Sequence, residues 1–363
     1  MQEKITYTSH TNSDFSEALK QRVENYFAKQ NLSKKCNRLM VLKSGCYLLG
    51  FVSTYLLLIF GGFSEIGMLA LAILLGFFIS GIGFNIGHDA VHGAYSQSPR
   101  VNKIMSYSFD LIGASSYTWK VRHNFLHHIN TNIVGSDGDL ESIPLLRFCL
   151  KPGRKFIHSF QHLYAPFLYG FVTLVWVLKK DYVHILEERR EQHSRRKPPV
   201  SAYIALIFFK FLHYLLFIGI PFLVLGLALW KVMFGFLIMH FIAGFTLASI
   251  FQLAHVVEGP AFVYPTDSNT IVDSWAAHQL KSTANFEPRP LITWICGGLN
   301  YQIEHHLFPN ICHIHYPALS PIVEKTAKEF NLPYYVHGTF FKAFHSHLRT
   351  LKYFGNTDPV PAH

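Results

Sequence analysis

The sequence predicts an all-α integral membrane fold, with four transmembrane helices and a cytoplasmic helical cap that carries clusters of histidine. Three observations lead to this fold class. Half of the 363 residues are hydrophobic and only 15% are charged, which is too apolar for an ordinary soluble domain. Four apolar stretches have the length of about 20 residues that a helix needs to cross a bilayer. Three short blocks rich in histidine lie just outside these stretches.

The four apolar stretches define the predicted spans. They occupy residues 42–63, 66–86, 203–225 and 232–253. Lys43 and Lys210 lie near span ends, from where their long side chains are expected to reach the lipid headgroups. A further apolar run at 160–178 contains Pro166 and is expected to lie in the membrane interface. A fifth crossing there would put the second and third histidine blocks on opposite sides of the membrane.

The distribution of basic residues predicts the orientation in the membrane. Seven Lys or Arg precede residue 39, fifteen lie in residues 88–200 and seven follow His255, whereas the two short turns between paired spans carry one. Because positive residues stay on the cytoplasmic side, both termini and the central loop are expected in the cytoplasm. The net charge of +10 is then a topology signal and an attraction to anionic lipid. Without a recognisable nucleic-acid-binding module, it predicts no nucleic-acid partner.

The segments outside the spans are predicted to be cytoplasmic. Residues 1–40 form an arm with apolar residues at every fourth position, the pattern of an amphipathic helix and not of a signal peptide: Phe15, Leu19, Val23 and Phe27. Residues 41–330 form the membrane domain, with the cap at 88–200 and 255–330. Residues 331–363 are expected as a C-terminal tail. The histidines of the polar end of the chain are expected at the surface: His313, His315, His345 and His347.

The three histidine blocks offer imidazole pairs at helical spacing. They read HDAVH at 88–92, HNFLHH at 123–128 and QIEHH at 302–306. Residues four apart lie on the same face of an α-helix, so the first and last histidines of HDAVH form a convergent pair. His255 ends the fourth span on the same predicted side. The candidate metal ligands are therefore His88, His92, His123, His127, His128, His255, His305 and His306.

The number and type of these ligands predict two metal ions. A structural zinc ion takes four ligands, usually with cysteine among them, and the five cysteines form no CxxC pair. Imidazole with few carboxylates suits Zn, Fe, Cu or Ni, and iron is the choice that adds redox chemistry. Asp89, Glu304 and Asp137 are expected to hydrogen-bond the imidazoles and fix their tautomers. His278 stays open between a ligand, a hydrogen-bonding residue and neither of these.

Isolated histidines near span ends are more often interface residues or core hydrogen-bonding residues than ligands. This expectation applies to His158, His162, His184, His213 and His240. The paired blocks differ from them because three such blocks recur in one chain.

HDAVH, HNFLHH and QIEHH, in this order between paired spans, resemble the histidine boxes of the membrane fatty acyl desaturase superfamily. Gln302, in place of the first histidine of the third box, resembles the front-end branch of that superfamily. The stretches 123–132 and 297–309 are similar to bacterial and cyanobacterial acyl-lipid members, and the resemblance covers roughly residues 40–330. It implies a four-span bundle in a bacterial inner membrane, with a non-haem diiron centre, and it leaves open whether Gln302 is a further ligand. It also implies O2-dependent insertion of a cis double bond into a long-chain acyl substrate.

Two partners follow from the resemblance. The acyl substrate is attached to lipid, coenzyme A or acyl carrier protein, and the sequence leaves the carrier open. The chain lacks a His-Pro-Gly-Gly haem motif, ferredoxin cysteine spacing and a GxGxxG loop. A separate donor of the ferredoxin or cytochrome b5 type is therefore expected on the basic cytoplasmic face, near residues 101–122 and 179–197.

Alternative functions come from other classes. A hydroxylase on the same scaffold would insert oxygen where a desaturase removes a second hydrogen. A membrane haem protein would place its paired histidines within facing spans, and a metal transporter would line the spans with histidines and acids. The spans contain almost no acids and the blocks lie outside them, so these two readings are remote.

Overall fold

The computed structural model describes residues 5–7, 12–140, 143–151, 153–190, 197–264 and 270–359. Within these ranges, four helices are long and apolar enough to cross a bilayer, which confirms the four predicted spans. They run over Arg38–Phe60, Glu65–Val91, Val200–Val224 and Leu229–His255. The first two begin at N-caps that the sequence supplies, since the side chain of Asn37 accepts from Met40 N and that of Ser64 accepts from Gly67 N.

The chain forms two compact units. The membrane unit comprises residues 36–121 and 166–248, and the cap unit comprises residues 1–35, 122–165 and 249–363. Besides the spans, the first unit contains helices at Pro99–Leu111, Ser116–Trp119, Val172–Val175 and Asp181–Arg190. The second contains helices at Ser13–Gln30, His128–Asn130, Gly138–Leu140, Phe156–Phe160, Trp275–Ser282, Pro290–Ile295, Gln302–Leu307, His313–His315, Tyr316–Glu329 and Phe340–Asn356. Its short parallel strand pairs are Thr6–Tyr7 with Thr270–Ile271, and Ala284–Phe286 with Tyr335–His337.

Several helices widen into π-helical segments, in which the backbone hydrogen bonds join residues five apart. These segments are Gly83–Gly87, Lys120–His127, Trp176–Lys180 and Leu215–Gly219. The second histidine block is predicted on an α-helix, and this prediction is wrong for residues 123–127, which lie in the π segment. Histidines four residues apart lie on nearly the same face of either helix type, so their spacing does not distinguish an α-helix from a π segment. Short π segments occur frequently at functional sites.

The run at 160–178 belongs to two helices, Gln161–Tyr169 and Val172–Val175, the second continued by the π segment Trp176–Lys180. The helical stretches Phe156–Tyr169 and Val172–Glu188 meet at an angle of 68°, and Pro166 lies inside the first. The location of this pair in the membrane interface stays a prediction.

The cap unit is organised around the N-terminal helix and the third histidine block. Ser13–Gln30 buries Phe15, Leu19, Val23 and Phe27, as the four-residue pattern predicts. These side chains share one core with Trp275–Ser282, Gln302–Leu307 and Tyr316–Glu329. The hydrophobic core therefore fixes the position of the third block.

The end of the chain is a packed helix, Phe340–Asn356. The buried guanidinium of Arg147 donates to the carbonyls of Phe354 and Thr357 at its C-terminus. His347 donates through Nδ1 to Val256 O at 2.7 Å and is buried, as are His313 and His315. The prediction of surface positions is confirmed for His345 and is wrong for these three, because a locally polar sequence does not reveal that the helix packs against the cap.

The isolated histidines of the spans are core hydrogen-bonding residues, as expected. In the membrane unit, Nε2 of His213 lies 3.1 Å from Nε2 of His240, and Nδ1 of His240 lies 3.2 Å from Thr173 Oγ1. Both rings are fully buried.

Lys210 corrects the expectation for lysines near span ends. Its side chain is 4% exposed, and Nζ donates to Asp181 Oδ2 and to Gly113 O, each at 2.7 Å. Lys43 is buried as well. A buried ammonium needs a counter-charge, and Asp181 supplies it from a helix that hydropathy does not connect with the third span.

Replacing Lys210 with Met leaves the carboxylate of Asp181 buried without its partner. We expect the free energy of unfolding to fall by about 3–5 kcal/mol, the usual cost of breaking a buried ion pair from one side. The double variant Lys210→Met/Asp181→Asn removes both charges and is expected to recover a large part of this loss. Unfolding of the purified protein in detergent measures both effects, and purely additive losses would contradict the pairing.

Candidate metal centre

Six of the eight candidate ligands lie in the cap unit and all six are buried. They are His123, His127, His128, His255, His305 and His306. The Nε2 atom of His128 lies 3.2 Å from that of His123 and 3.0 Å from that of His305. One ring nitrogen each of His127, His255 and His306 lies within 4.8 Å of the others. The six rings thus form one cluster, although they come from three separate stretches of the chain.

The helices that carry these histidines determine how the rings are oriented. His123 and His127 belong to the π segment Lys120–His127, and their rings stack at a centroid distance of 5.4 Å. His305 and His306 are adjacent on the short helix Gln302–Leu307, so their rings are turned by 85° to each other. His255 is the last residue of the fourth apolar helix.

Hydrogen bonds at Nδ1 fix the tautomers of three rings. Nδ1 of His127 lies 3.1 Å from Asp137 Oδ1, and Nδ1 of His255 lies 3.4 Å from Ser282 O. Nδ1 of His306 lies 2.8 Å from Gln279 Oε1. Carboxylate and carbonyl oxygens only accept, so each Nδ1 carries the proton and each Nε2 keeps a lone pair. These lone pairs are what a metal ion binds.

Burial favours the neutral form of His306. Desolvation, with the neighbouring histidines as a second cause, lowers the pKa of His306 well below its ordinary value. A protonated imidazole has no lone pair for a metal, so a depressed pKa keeps the ring competent as a ligand at neutral pH.

Gln302 lies between two of these rings. Its Nε2 is 3.2 Å from His255 Nε2 and 3.3 Å from His306 Nε2. Its buried Oε1 has no hydrogen-bond partner among the residues that the structure describes. Rotation of the amide would exchange its nitrogen and its oxygen, so that Oε1 would face the same two ring nitrogens. The side chain therefore fits the role of an additional oxygen ligand.

Gln279 is a site residue that the sequence analysis misses. Its Oε1 accepts from Thr131 Oγ1 at 3.0 Å as well as from His306, and its Nε2 donates to His128 O at 3.2 Å. It is fully buried and joins the second block to the third. Its neighbour His278 is a hydrogen-bonding residue in this structure, with Nε2 donating to Thr131 O at 2.7 Å. The helix Trp275–Ser282 mixes polar and apolar residues, so its sequence gives no clear signal that Gln279 belongs to the site.

Asn132 also holds the second block in place through hydrogen bonds of its side chain and its backbone. In a left-handed backbone conformation (φ 55°), its side-chain amide donates to the carbonyls of His255 and Ser282. Its backbone N–H donates to Asp137 Oδ2 at 2.9 Å, so the carboxylate that faces His127 is itself held. Asn tolerates this conformation better than most residues.

Glu304 differs from its expected role beside an imidazole. Its carboxylate accepts from Tyr334 Oη at 2.7 Å and from Asn285 Nδ2 at 2.8 Å, and among the described contacts it meets no imidazole. Burial raises the pKa of Glu304 to about 7. Asn285 Oδ1 also accepts from Ile303 N, so this network supports the backbone of the third block.

The first block lies in the membrane unit. His88 and Asp89 are buried, and His92 is half-buried. The rings of His88 and His92 lie 4.7 Å apart at 65°, directly after the π segment Gly83–Gly87. The four-residue pairing predicted from the sequence is present in this unit.

The donor set of the cap unit fits a transition metal that prefers imidazole. Six buried rings, a free amide oxygen and an absence of cysteine from this cluster suit Fe, Zn, Cu or Ni, and not Mg or Ca. Six imidazoles exceed the needs of one tetrahedral ion.

The chain is similar to known proteins over most of its length. The model of the fatty acid desaturase family matches residues 65–338. A sn-1 linoleoyl-lipid 6-desaturase of Arthrospira platensis is 38% identical over 93% of this chain and 92% of its own length. A protein of the same name from Synechocystis is 36% identical over 97% and 98%. An acyl-lipid (8-3)-desaturase of the moss Physcomitrium patens is 36% identical over 98% of this chain and 74% of its own.

Replacing Gln279 with Leu tests the fixing of the His306 tautomer. The variant loses the acceptor for Nδ1–H, and we expect metal affinity to fall about 10- to 100-fold, as is usual when such a partner is lost. Competition with a chelator, followed by iron analysis of the folded protein, measures the change.

Gln161→Leu is the matched control. Gln161 is also fully buried in the cap unit, and its amide binds the backbone of Arg147 and Leu351. Its loss should lower stability and leave metal affinity unchanged. Equal losses of metal in both variants would show that Gln279 acts through folding alone.

Proposed function

The chain belongs to the fatty acid desaturase family and is an integral membrane oxidoreductase of fatty acyl chains, and we propose that it desaturates lipid-linked acyl chains at a pair of iron ions. The observation that supports the iron site is the cluster of six buried imidazoles in the cap unit. Hydrogen bonds at Nδ1 of His127, His255 and His306 leave the Nε2 lone pair of each ring available to a metal ion.

The proposed ligands combine structure and sequence. The cap unit supplies His123, His127, His128, His255, His305 and His306, with Gln302 as a further oxygen donor. His88 and His92 complete the set on the strength of the HDAVH motif and of the family resemblance. Asp137 and Gln279 orient two of the rings, and Asp89 is assigned a similar orienting role from its place within the first block.

Iron supplies the chemistry that side chains lack. Unactivated methylene C–H bonds are beyond acid–base catalysis, and iron held by these histidines would supply, together with O2, the oxidising power that their cleavage needs. The protein's own residues hold the ligands in one tautomer, exclude water from the cluster and position the acyl chain. Removal of two hydrogen atoms with reduction of O2 to water requires further electrons and protons from a donor.

The relatives support an acyl-lipid substrate over a coenzyme A or carrier-protein thioester. Three of them, at 36–38% identity over more than nine tenths of this chain, are named as desaturases of lipid-linked acyl chains. We assign this chain to the front-end type, because Gln302 occupies the first position of the third block. Position 6 of a linoleoyl chain is the first candidate. The (8-3) type is the second, on the similarity to the moss protein.

The proposed orientation places both termini, the histidine clusters and the donor-binding face in the cytoplasm. This follows from the 29 Lys or Arg on those segments against one on the short turns. For a bacterial protein the membrane is the inner one.

Expression in a host that lacks polyunsaturated lipids, with linoleate supplied, tests the activity. We expect a product lighter by two hydrogens, with the new cis double bond at position 6 and still esterified to lipid. A product heavier by one oxygen would instead identify a hydroxylase.

Two histidine variants connect that activity with the metal. His127→Ala and His305→Ala are expected to lose most of the bound iron and the product. His347→Ala removes a histidine of the same unit that is equally buried and should keep its iron per folded chain. Normal iron content in both cluster variants would remove the ligand assignment.

An external electron donor is proposed to dock on the basic part of the membrane unit. Lys103, Lys120, Lys179 and Lys197 are exposed there, and residues 191–196 of the proposed face lie outside the described residues. Clustered lysines attract an acidic protein and speed encounter at low ionic strength.

Reduction by a ferredoxin or cytochrome b5-type donor should therefore slow several-fold as ionic strength rises. Lys120→Ala/Lys179→Ala should weaken this dependence, and Lys231→Ala, at the other end of the spans, should leave it unchanged. A reduction rate independent of salt in the wild type would contradict the docking face.

A further inference from the structure

The membrane unit contains an apolar cavity that the desaturase chemistry does not use. Its volume is about 300 Å³, and it is lined by the second, third and fourth spans and by Leu58 of the first. Residues that define it include Ile66, Leu75, Phe217, Trp230, Phe236 and Met239.

The cavity lies at the span ends that are distant from the first histidine block. On the second span it extends from Glu65 to Leu75, which is about 15 Å at the helical rise of 1.5 Å per residue. His88 lies about 20 Å further along the same span. An acyl chain held in this cavity is therefore separate from carbon atoms that react near His88.

The mouth of the cavity has the character of a membrane–water interface. Glu65 and Lys231 are the two charged residues of its lining, and they form an ion pair with each other. Lys231 Nζ lies 5.6 Å from the centre of the Trp230 ring. Tryptophan and lysine at a span end mark the depth of the lipid headgroups. The cavity thus opens near headgroup depth and continues into the hydrocarbon layer.

The lining determines what can occupy the cavity. Apart from the ion pair at the mouth, all lining residues are apolar. A buried water needs two to four polar partners, and apolar cavities of about 150 Å³ stay dry and bind hydrocarbons. Within a bilayer, the hydrocarbon available at this depth is the acyl chain of a lipid.

We propose that the cavity binds one acyl chain of a membrane phospholipid that is not the substrate, with its headgroup beside Trp230 and Lys231. The bound chain fills the space between the spans that line the cavity and stabilises their packing. This site depends only on the membrane location of the chain, and it is independent of the metal centre and of turnover.

Gly235 keeps the cavity open. Val232, Phe236 and Met239 follow each other on one face of the fourth helix and line the cavity with it. Gly235 itself lines the cavity, and a Cβ atom on it would meet no atom within 4 Å, so we expect a larger side chain at this position to take up space in the cavity. Gly45 of the first span also faces open space and is exposed, but it does not line the cavity.

These two glycines give a matched experiment. Wild type, Gly235→Ala, Gly235→Leu and Gly45→Leu are purified in detergent, and mass spectrometry counts the phospholipid retained per chain. Thermal unfolding is then measured with and without added dioleoyl phosphatidylglycerol. A ligand that binds the folded state raises the melting temperature in proportion to its occupancy.

Wild type and Gly45→Leu are expected to retain about one phospholipid per chain and to gain stability from added lipid. Gly235→Leu should retain about tenfold less and gain little, because its side chain occupies the cavity. Gly235→Ala adds a single methyl group, so it provides a folded intermediate case if the Leu variant is unstable.

Retention of lipid by Gly235→Leu at the wild-type level would overturn the proposal. So would a wild type that retains no phospholipid and covers this face by self-association, detected as a change of oligomeric state in Gly235→Leu. A wild type that retains lipid but forms no unsaturated product would remove the proposed function and leave this site intact.

Discussion

The candidate centre depends on one constraint: buried imidazoles must stay neutral, with their protons on Nδ1 and their Nε2 lone pairs turned inward. Asp137, Ser282 O and Gln279 accept the three Nδ1 protons that enforce this arrangement. Without acceptors, each ring could turn or change tautomer and direct a proton at its neighbours. The amide Nε2 of Gln302 lies within hydrogen-bond distance of Nε2 of His255 and of His306, so it donates to these two lone pairs. A metal ion bound here would use the same lone pairs, with the Gln302 amide rotated to present its oxygen.

The surrounding structure serves this constraint through the backbone of the second block. Thr131 and Asn132 lie three and four residues after the last histidine of HNFLHH, and their side chains reach Gln279, the carbonyl of His255 and that of Ser282. Asn285, Glu304 and Tyr334 hold the third block in a similar way. Buried polar networks of this kind are rigid when every member is satisfied. The histidines come from distant parts of the sequence, and these amides and hydroxyls set their mutual distances.

The sequence predicts what repetition and hydropathy can reveal. The spans follow from uninterrupted apolar length, the N-terminal helix from the period of Phe15, Leu19, Val23 and Phe27, and the ligands from recurring histidines. Partners that are distant in sequence leave no such pattern. From the sequence, Lys210 is expected to reach the lipid headgroups, and only the structure shows that it pairs with Asp181. Gln279 likewise has no distinguishing feature in the sequence, and only the structure shows its contact with His306. The π segments escape prediction because histidines four apart fit either helix.

The most direct test of the converging lone pairs is an anomalous difference map at the iron absorption edge, from crystals of the iron-loaded protein. The account predicts two separate peaks. One should be bonded to ring nitrogens of His127, His255 and His306, and the other to those of His123 and His305. A single peak, peaks away from these rings, or rings that bind iron through Nδ1 would contradict it.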